Sequence, residues 1–388
     1  MVLVVRGTRL QALAPWWAGN ATSGEGALLP GNAFTEARRQ ALCSLLAHAD
    51  LSGLLVTKPV NVRYLTGFSG SYGALLLLHD RTIFFTDRRY EQQAAAEVPG
   101  AELVLAPGDL IGAVAGVLRS AGDGLGFEPA GLTWGDGQRL RAAVPGRAVV
   151  PAPPLVEELR EVKDERELAS MREAARLGCE ALAGLLEGLR PGVSEREVAV
   201  ALELAMRRLG GDGLAFDTIV AFGEAAAEPH HHPGDRRLAA GDLVKLDFGA
   251  RVDGYCSDMT RTVVYGRASE RQREVYELVR RAQAAGLDRL RAGVPAAEVD
   301  RACRDTIDEA GLGEAFGHPA GHGVGLEIHE APRIRQGAAG RIAAGTAVTV
   351  EPGVYLPGFG GIRIEDLAVV RPDGHEVLTT ATKELLEL

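Results

Sequence analysis

Between Leu243 and Gly266 the chain reads LVKLDFGARVDGYCSDMTRTVVYG, and no other stretch constrains the fold as strongly. Two runs alternate apolar and polar residues as half-buried β-strands do, and Asp253-Gly254 between them has the composition of a two-residue hairpin turn. A turn centred there sets Asp258 opposite Gly249. Residues two apart on a strand share a face, so Asp258 and Asp247 become diagonal neighbours, roughly 7–8 Å apart at the backbone. Two unscreened anions so placed destabilise a hairpin, and a cation between them reverses the sign.

A second stretch, TAVTVEPGVYLPGFGGIRIEDLAVV, repeats the pattern. With its Pro/Gly-rich loop centred on Gly358, Glu351 faces Glu365, and Arg363 lies on the same face. Histidines are concentrated in FGHPAGHGVGLEIHEAP (His318, His322, His329) and in EPHHHPGD (His230, His231, His232). Four carboxylates with one imidazole form an oxygen-rich donor set, suited to Mn2+, Mg2+ or Co2+ rather than to a thiolate-rich structural zinc site. Carboxylates bridge, so two ions about 3.5–4 Å apart is the natural arrangement. Each residue alone has an ordinary reading, as a surface acid or a satisfied core histidine. The ordered set on inward strand positions and a Gly-rich turn carries the argument.

The rest of the chain is compatible with such a site. A length of 388 residues exceeds one usual core, so two domains are expected, and 46% hydrophobic residues can fill them. The 42 basic residues against 52 acidic ones give a net charge of −10, which disfavours nucleic acid and anionic membranes and favours a small-molecule or peptide ligand. Cys43, Cys179, Cys256 and Cys303 show no CxxC pairing, as expected of reduced thiols in the cytoplasm. Residues 1–34 read as a loosely ordered extension, whose apolar run is broken by Arg6 and Arg9 and is no secretory signal.

Residues 35–156 alternate strand-like and helix-like pieces, as an α/β domain does, and end in the proline-rich PGRAVVPAPPLVEEL. Residues 157–388 run helix, helix, strands, and then the same again. RPGVSEREV and RAGVPAAEV recur at the two helix–helix junctions. This predicts an α+β domain built from two related halves, with a sheet between helices and the site where the strands of the halves meet.

The order Asp247, Asp258, His322, Glu351, Glu365, within DFGARVDGYCSDMTRTV, GHGVGLEIHEAP, EPGVY and GIRIED, resembles the metal-ligand set of the M24 "pita-bread" metallopeptidases, among them methionine aminopeptidase, aminopeptidase P and prolidase. NVRYLTGFSGSYGALLL and FFTDRRY look like the companion N-terminal domain of the proline-specific branch. The resemblance covers nearly the whole chain from about residue 35. It implies a creatinase/prolidase-like α/β domain followed by a pita-bread catalytic domain with an internal pseudo-two-fold duplication.

It further implies two divalent metal ions, with Mn2+ expected and Co2+, Zn2+ or Mg2+ as alternatives. Asp247 would bind one ion, Asp258 and Glu365 would bridge, and His322 and Glu351 would hold the other. His329 would contact the substrate carbonyl, Glu351 would shuttle a proton, and His318 would line the prolyl pocket. His230 would act at the substrate and in catalysis, and Arg363 would bind substrate. The implied activity is hydrolysis of the Xaa-Pro bond at the N-terminus of dipeptides or short peptides, as an Xaa-Pro dipeptidase or aminopeptidase, by a cytoplasmic homodimer. Candidates to recognise a dipeptide's carboxylate are His230, Arg363 and Arg333. Ala225 stands where the branch often has asparagine, which bears on substrate preference. The rival readings are a non-peptidase hydrolase or lyase on the same fold, which the five retained ligands oppose, and a non-catalytic peptide-binding module.

Overall fold

Continuous apolar runs, rather than alternating ones, build the first part of the chain. The structure, a computed structural model, describes residues 31–119 and 124–388. It divides into two units, Met1–Arg160 and Glu161–Leu388. The expected extension lies outside the described residues as far as residue 30; from Gly31 the chain is helical.

The first unit contains α1 (Gly31–His48), β1 (Gly53–Val56), α2 (Pro59–Thr66), β2 (Ala74–Leu78), β3 (Thr82–Thr86), α3 (Glu91–Glu97), β4 (Glu102–Leu105), α4 (Leu110–Leu118), β5 (Leu125–Phe127), α5 (Trp134–Ala143), β6 (Val149–Pro151) and α6 (Leu155–Glu161). Its six strands form one sheet in the order β4-β3-β2-β1-β5-β6. All residues of β1 (GLLV) and β2 (ALLLL) are buried, as expected of strands covered on both faces. Leu55, Leu76 and Phe85 from the sheet pack with Val114, Leu118 and Leu140 from α4 and α5.

The second unit contains α7 (Glu165–Gly188), α8 (Glu195–Arg208), β7 (Gly213–Leu214), β8 (Ile219–Phe222), β9 (Leu243–Phe248), β10 (Ala250–Val252), β11 (Tyr255–Cys256), β12 (Met259–Val264), α9 (Glu270–Arg289), α10 (Ala296–Asp308), β13 (Gly321–Gly323), β14 (Glu330–Ile334), β15 (Ala347–Val350), β16 (Gly353–Leu356), β17 (Gly360–Arg363), β18 (Asp366–Arg371) and β19 (Gly374–Val377). Capping boxes start α7 at Asp164, α8 at Ser194 and α9 at Ser269. Each helix pair covers the strands that follow it. Leu177, Val198 and Leu202 pack on Val220, Val244 and Leu246; Val279, Val299 and Ile307 pack on Val348, Val350 and Ile362.

The two halves repeat down to single hydrogen bonds. Gly192 N donates to Leu238 O at 2.8 Å, and Gly293 N donates to Ile342 O at 2.8 Å. The Arg237 and Arg341 guanidiniums donate to the carbonyls of Gly192 and Gly293, each at 2.6 Å. Both arginines open an Arg-(Leu/Ile)-Ala-Ala-Gly turn whose glycine, Gly241 or Gly345, has φ of 90° or 87°. Ten residues beyond each arginine stand Asp247 and Glu351.

Candidate metal centre

The first hairpin has the register that its turn predicts. Asp247 pairs with Thr260, Phe248 with Met259, and Arg251 with Cys256, so Asp258 falls opposite Gly249. Asp253 and Gly254 both have positive φ, 50° and 83°, as a type I′ turn requires. A Cβ on Gly249 would collide with the Ser257 carbonyl, so only glycine fits beside Asp258. In the second hairpin Val350 pairs with Asp366 and Gly353 with Arg363, which sets Glu351 opposite Glu365 in the gap between the paired segments. His322 lies in the short strand β13 rather than in a turn. The two hairpins meet where Glu365 N donates to Thr260 O at 3.2 Å and Thr262 Oγ1 donates to Arg363 O at 3.0 Å.

The five predicted ligands all line one cavity. Among the described residues, Asp258, His322 and Glu365 offer donor atoms all within 4.8 Å of one another. His322 Nε2 is 3.5 Å from Asp258 Oδ2 and 3.4 Å from Glu351 Oε1. Its Nδ1 lies 3.1 Å from Gly323 O, which makes that nitrogen the N–H and leaves the Nε2 lone pair facing the carboxyls. Burial, helped by His329, pushes His322 down to about 3, so the ring is neutral. Burial raises Asp258 and Glu365 well above the usual carboxylate range, and the neighbouring acids add to this; burial lifts Glu351 to about 7.

Asp247 stands apart from that cluster, because one of its oxygens is paired with the Arg363 guanidinium. Its other oxygen, Oδ1, is buried with no hydrogen-bond partner. An orphaned carboxylate oxygen, crowded acids and an available imidazole lone pair are together a donor set that fits divalent ions with oxygen-rich coordination.

Supporting residues that the sequence reading gave no role complete the site. Thr260 Oγ1 donates to Glu365 Oε2 at 2.6 Å while accepting from Arg363 Nε at 2.9 Å. Thr349 Oγ1 donates to Glu351 Oε1 at 3.2 Å and accepts from His322 N at 3.0 Å. Each threonine stands two residues from a ligand on its strand, and that alternation is the signal that could have found them. Arg363 Nη1 donates to the Tyr355 oxygen at 2.8 Å, so the Tyr355 hydroxyl donates onward to His318 Nε2 at 2.9 Å. His318 Nδ1–H then donates to Pro319 O at 2.8 Å. Burial, then Arg363, pushes His318 down to about 3. Lys245 is fully buried and donates to the carbonyls of Ala226 and Glu228 at 3.0 and 2.5 Å.

A cavity of about 470 Å3 opens on these groups, lined also by His230, His232, His329 and Arg333. The His329 ring packs edge-on against His322 at 4.4 Å between centroids. Arg363 reaches the cavity, but its donors are committed to Asp247, Thr260, Tyr355 and the Pro229 carbonyl. It is also one of the cavity-lining residues, the position from which the resemblance implies a substrate contact. His231 turns both ring nitrogens onto Glu228 and Glu195, while His230 and His232 line the cavity on either side of it. A second cavity, about 230 Å3, is lined by Cys179, Leu186, Arg261, Tyr276 and Leu386 and holds none of the predicted site residues.

Residues 169–372 match metallopeptidase family M24, and residues 38–162 match the Creatinase/Prolidase N-terminal domain. The chain belongs to metallopeptidase family M24. Its fold is the creatinase-type N-terminal domain followed by the pita-bread domain of that family. Among M24 proteins, it is 40% identical to the uncharacterized peptidase YqhT of Bacillus subtilis, over 89% of this chain and 99% of the relative. The solved Xaa-Pro dipeptidase from Bacillus anthracis superposes with a TM-score of 0.89 at 41% identity, covering 91% of this chain and 100% of that one. The X-Pro aminopeptidase from Thermotoga maritima superposes with a TM-score of 0.82 at 33% identity, covering 87% and 98%. No helix among the described residues is long and apolar enough to cross a membrane.

Proposed function

We propose that this M24 metallopeptidase uses two divalent ions, Mn2+ first among them, to hydrolyse the Xaa-Pro bond at the N-terminus of dipeptides or short peptides. The observation that carries the reading is the buried, oxygen-rich ligand set in a cavity also lined by His230, His318 and His329, in a chain whose similar structures include an Xaa-Pro dipeptidase and an X-Pro aminopeptidase. Asp247, Asp258, His322, Glu351 and Glu365 would hold the ions. On this reading residues 35–156 are the companion domain and 157–388 the catalytic domain of a cytoplasmic homodimer.

When bound, the ions supply the Lewis acidity that makes water a nucleophile near neutral pH. The chain's own groups do the rest. Glu351 would take the proton that the attacking water gives up and deliver it to the departing nitrogen. His329, kept neutral by burial, donates an N–H to the oxyanion forming at the carbonyl of the first residue. His318, held by Tyr355 and Pro319, lines the wall against which the prolyl ring lies. Arg333 and His230 meet the substrate beyond that ring. An imide nitrogen carries no N–H, so the site need not supply an acceptor for one, which favours proline there.

The test is hydrolysis of Ala-Pro and Ala-Pro-Ala by chelated protein, before and after Mn2+ is restored. Cleavage only after Mn2+ supports the proposal; the dipeptide alone being cut means a dipeptidase, and the tripeptide being cut means an aminopeptidase. Cleavage of neither peptide, or cleavage by the chelated protein, contradicts it.

A further inference from the structure

The loop from Ala226 to Gly234 carries His230 and is fastened on both sides of it. Before His230, Lys245 Nζ from β9 holds the carbonyls of Ala226 and Glu228, and Arg363 Nη1 donates to Pro229 O at 3.3 Å. After it, the carboxylate of Glu195, the first residue of α8, is 1% exposed and accepts three donors. These are Phe222 N at 2.9 Å, Gly234 N at 2.9 Å and His231 Nε2 at 2.9 Å. The other nitrogen of His231, Nδ1, lies 2.8 Å from Glu228 Oε2.

Carboxylates only accept, so a ring that meets one at each nitrogen must carry both protons. From the geometry we infer that His231 is a positioning residue: as an imidazolium it clasps Glu228 to Glu195 and thereby fixes how His230 is presented to the substrate. This rests on the Xaa-Pro reading for its kinetic consequence but not for its structure. The groups facing the ring are Glu195 from α8 and Glu228 from its own loop, with Lys245 of β9 acting on Glu228. Burial works against the charged ring, yet the hydrogen bonds to Glu228 and Glu195 outweigh it and leave His231 above the ordinary histidine value. The clasp therefore persists to higher pH than an unpartnered histidine would allow. Above the raised value the ring loses one proton, one of the two contacts becomes acceptor against acceptor, and the exposed Glu228 side is released.

Two arms test this. In the kinetic arm, His231→Asn, which cannot donate to both carboxylates, is expected to raise KM for Ala-Pro about tenfold, the weight of a charge-assisted hydrogen bond. Both kcat and Mn2+ content stay within about twofold by the same reckoning, since no contact to the metal site is lost. His231→Arg, which donates to both carboxylates at every pH, should restore KM and abolish its alkaline rise. The second arm needs no substrate: histidine-selective 15N NMR of wild type should show His231 doubly protonated at neutral pH, and Glu228→Gln should lower its titration midpoint. Glu228 is exposed, so that variant folds even if His231→Asn does not. An unchanged KM in His231→Asn, no rescue by His231→Arg, or a neutral His231 below pH 7 would overturn the clasp. Failure of the Xaa-Pro reading would instead appear as an inactive wild type with the NMR result intact.

Discussion

A buried carboxylate oxygen without a donor is costly in any fold, and Asp247 Oδ1 is such an atom. Around it Asp258 and Glu365 are raised by burial and by the neighbouring acids, and Glu351 by burial and by Asp247, so the metal-free site is electrostatically strained. Removing one acid should relieve that strain while destroying the site. Asp258→Asn is expected to lose Mn2+ binding and peptidase activity, and yet, compared with chelated wild type at pH 7, to be more stable by about 1–2 kcal/mol. Denaturant midpoints on metal-free proteins check this; a less stable variant would mean that the acids are not in conflict. At this scale the placement of Asp247 and Asp258 was legible because the hairpin register follows from a single dipeptide, Asp253-Gly254. Tyr355 and Lys245 carried no comparable signal, because their roles depend on partners contributed by other strands and loops.

At the scale of elements, the hairpins hold the acids because small residues allow close backbone approach. Gly249→Ala should destabilise the protein by about 1–3 kcal/mol, since its Cβ meets the Ser257 carbonyl, which is backbone and cannot rotate away. Thermal unfolding tests that, and an unchanged Tm would show that the hairpin is loosely held. On the far edge of the same unit, Glu376 of β19 bonds Arg172 of α7 and Arg371 of β18. The hydrogen bond from Arg172, then that from Arg371, prevail over burial and pull its carboxyl down to about 2. A carboxyl depressed in the folded state stabilises above its unfolded value of about 4.3, and this is lost as pH falls towards the folded value. Because the group is part-exposed, Glu376→Gln should cost only about 1 kcal/mol at pH 7, a gap that narrows below about pH 4. A pH-independent gap would assign the loss to packing. The sequence showed the long amphipathic helices α7 to α10 and the paired strands, but not α1, α2 or α5. The helix α2 is only eight residues, from Pro59 to Thr66, too short to repeat its apolar face, and α5 contains two glycines and buries only Leu140.

For the molecule as a whole, matching turns and hairpins bring residues from both halves of the second unit to one cavity. Each half brings an Arg-(Leu/Ile)-Ala-Ala-Gly turn, a strand ending in an acid and a hairpin returning a second acid; only the second half adds His322. The sequence revealed this through the RPGVSEREV and RAGVPAAEV junctions, while the turn repeat emerged only once Arg237 and Arg341 were seen making the same bond. A ligand held by both halves should join them. At a free Mn2+ concentration a hundred times Kd, the native state gains about 2.7 kcal/mol, which chelation removes as a lower Tm. The most direct test of the account is the number of ions held. Chelated protein dialysed against Mn2+ and analysed by elemental emission should retain about two ions per chain, and Asp258→Asn should retain none firmly. Two ions retained equally by both proteins, or none by the wild type, would contradict the claim that these four acids and His322 form one dinuclear site.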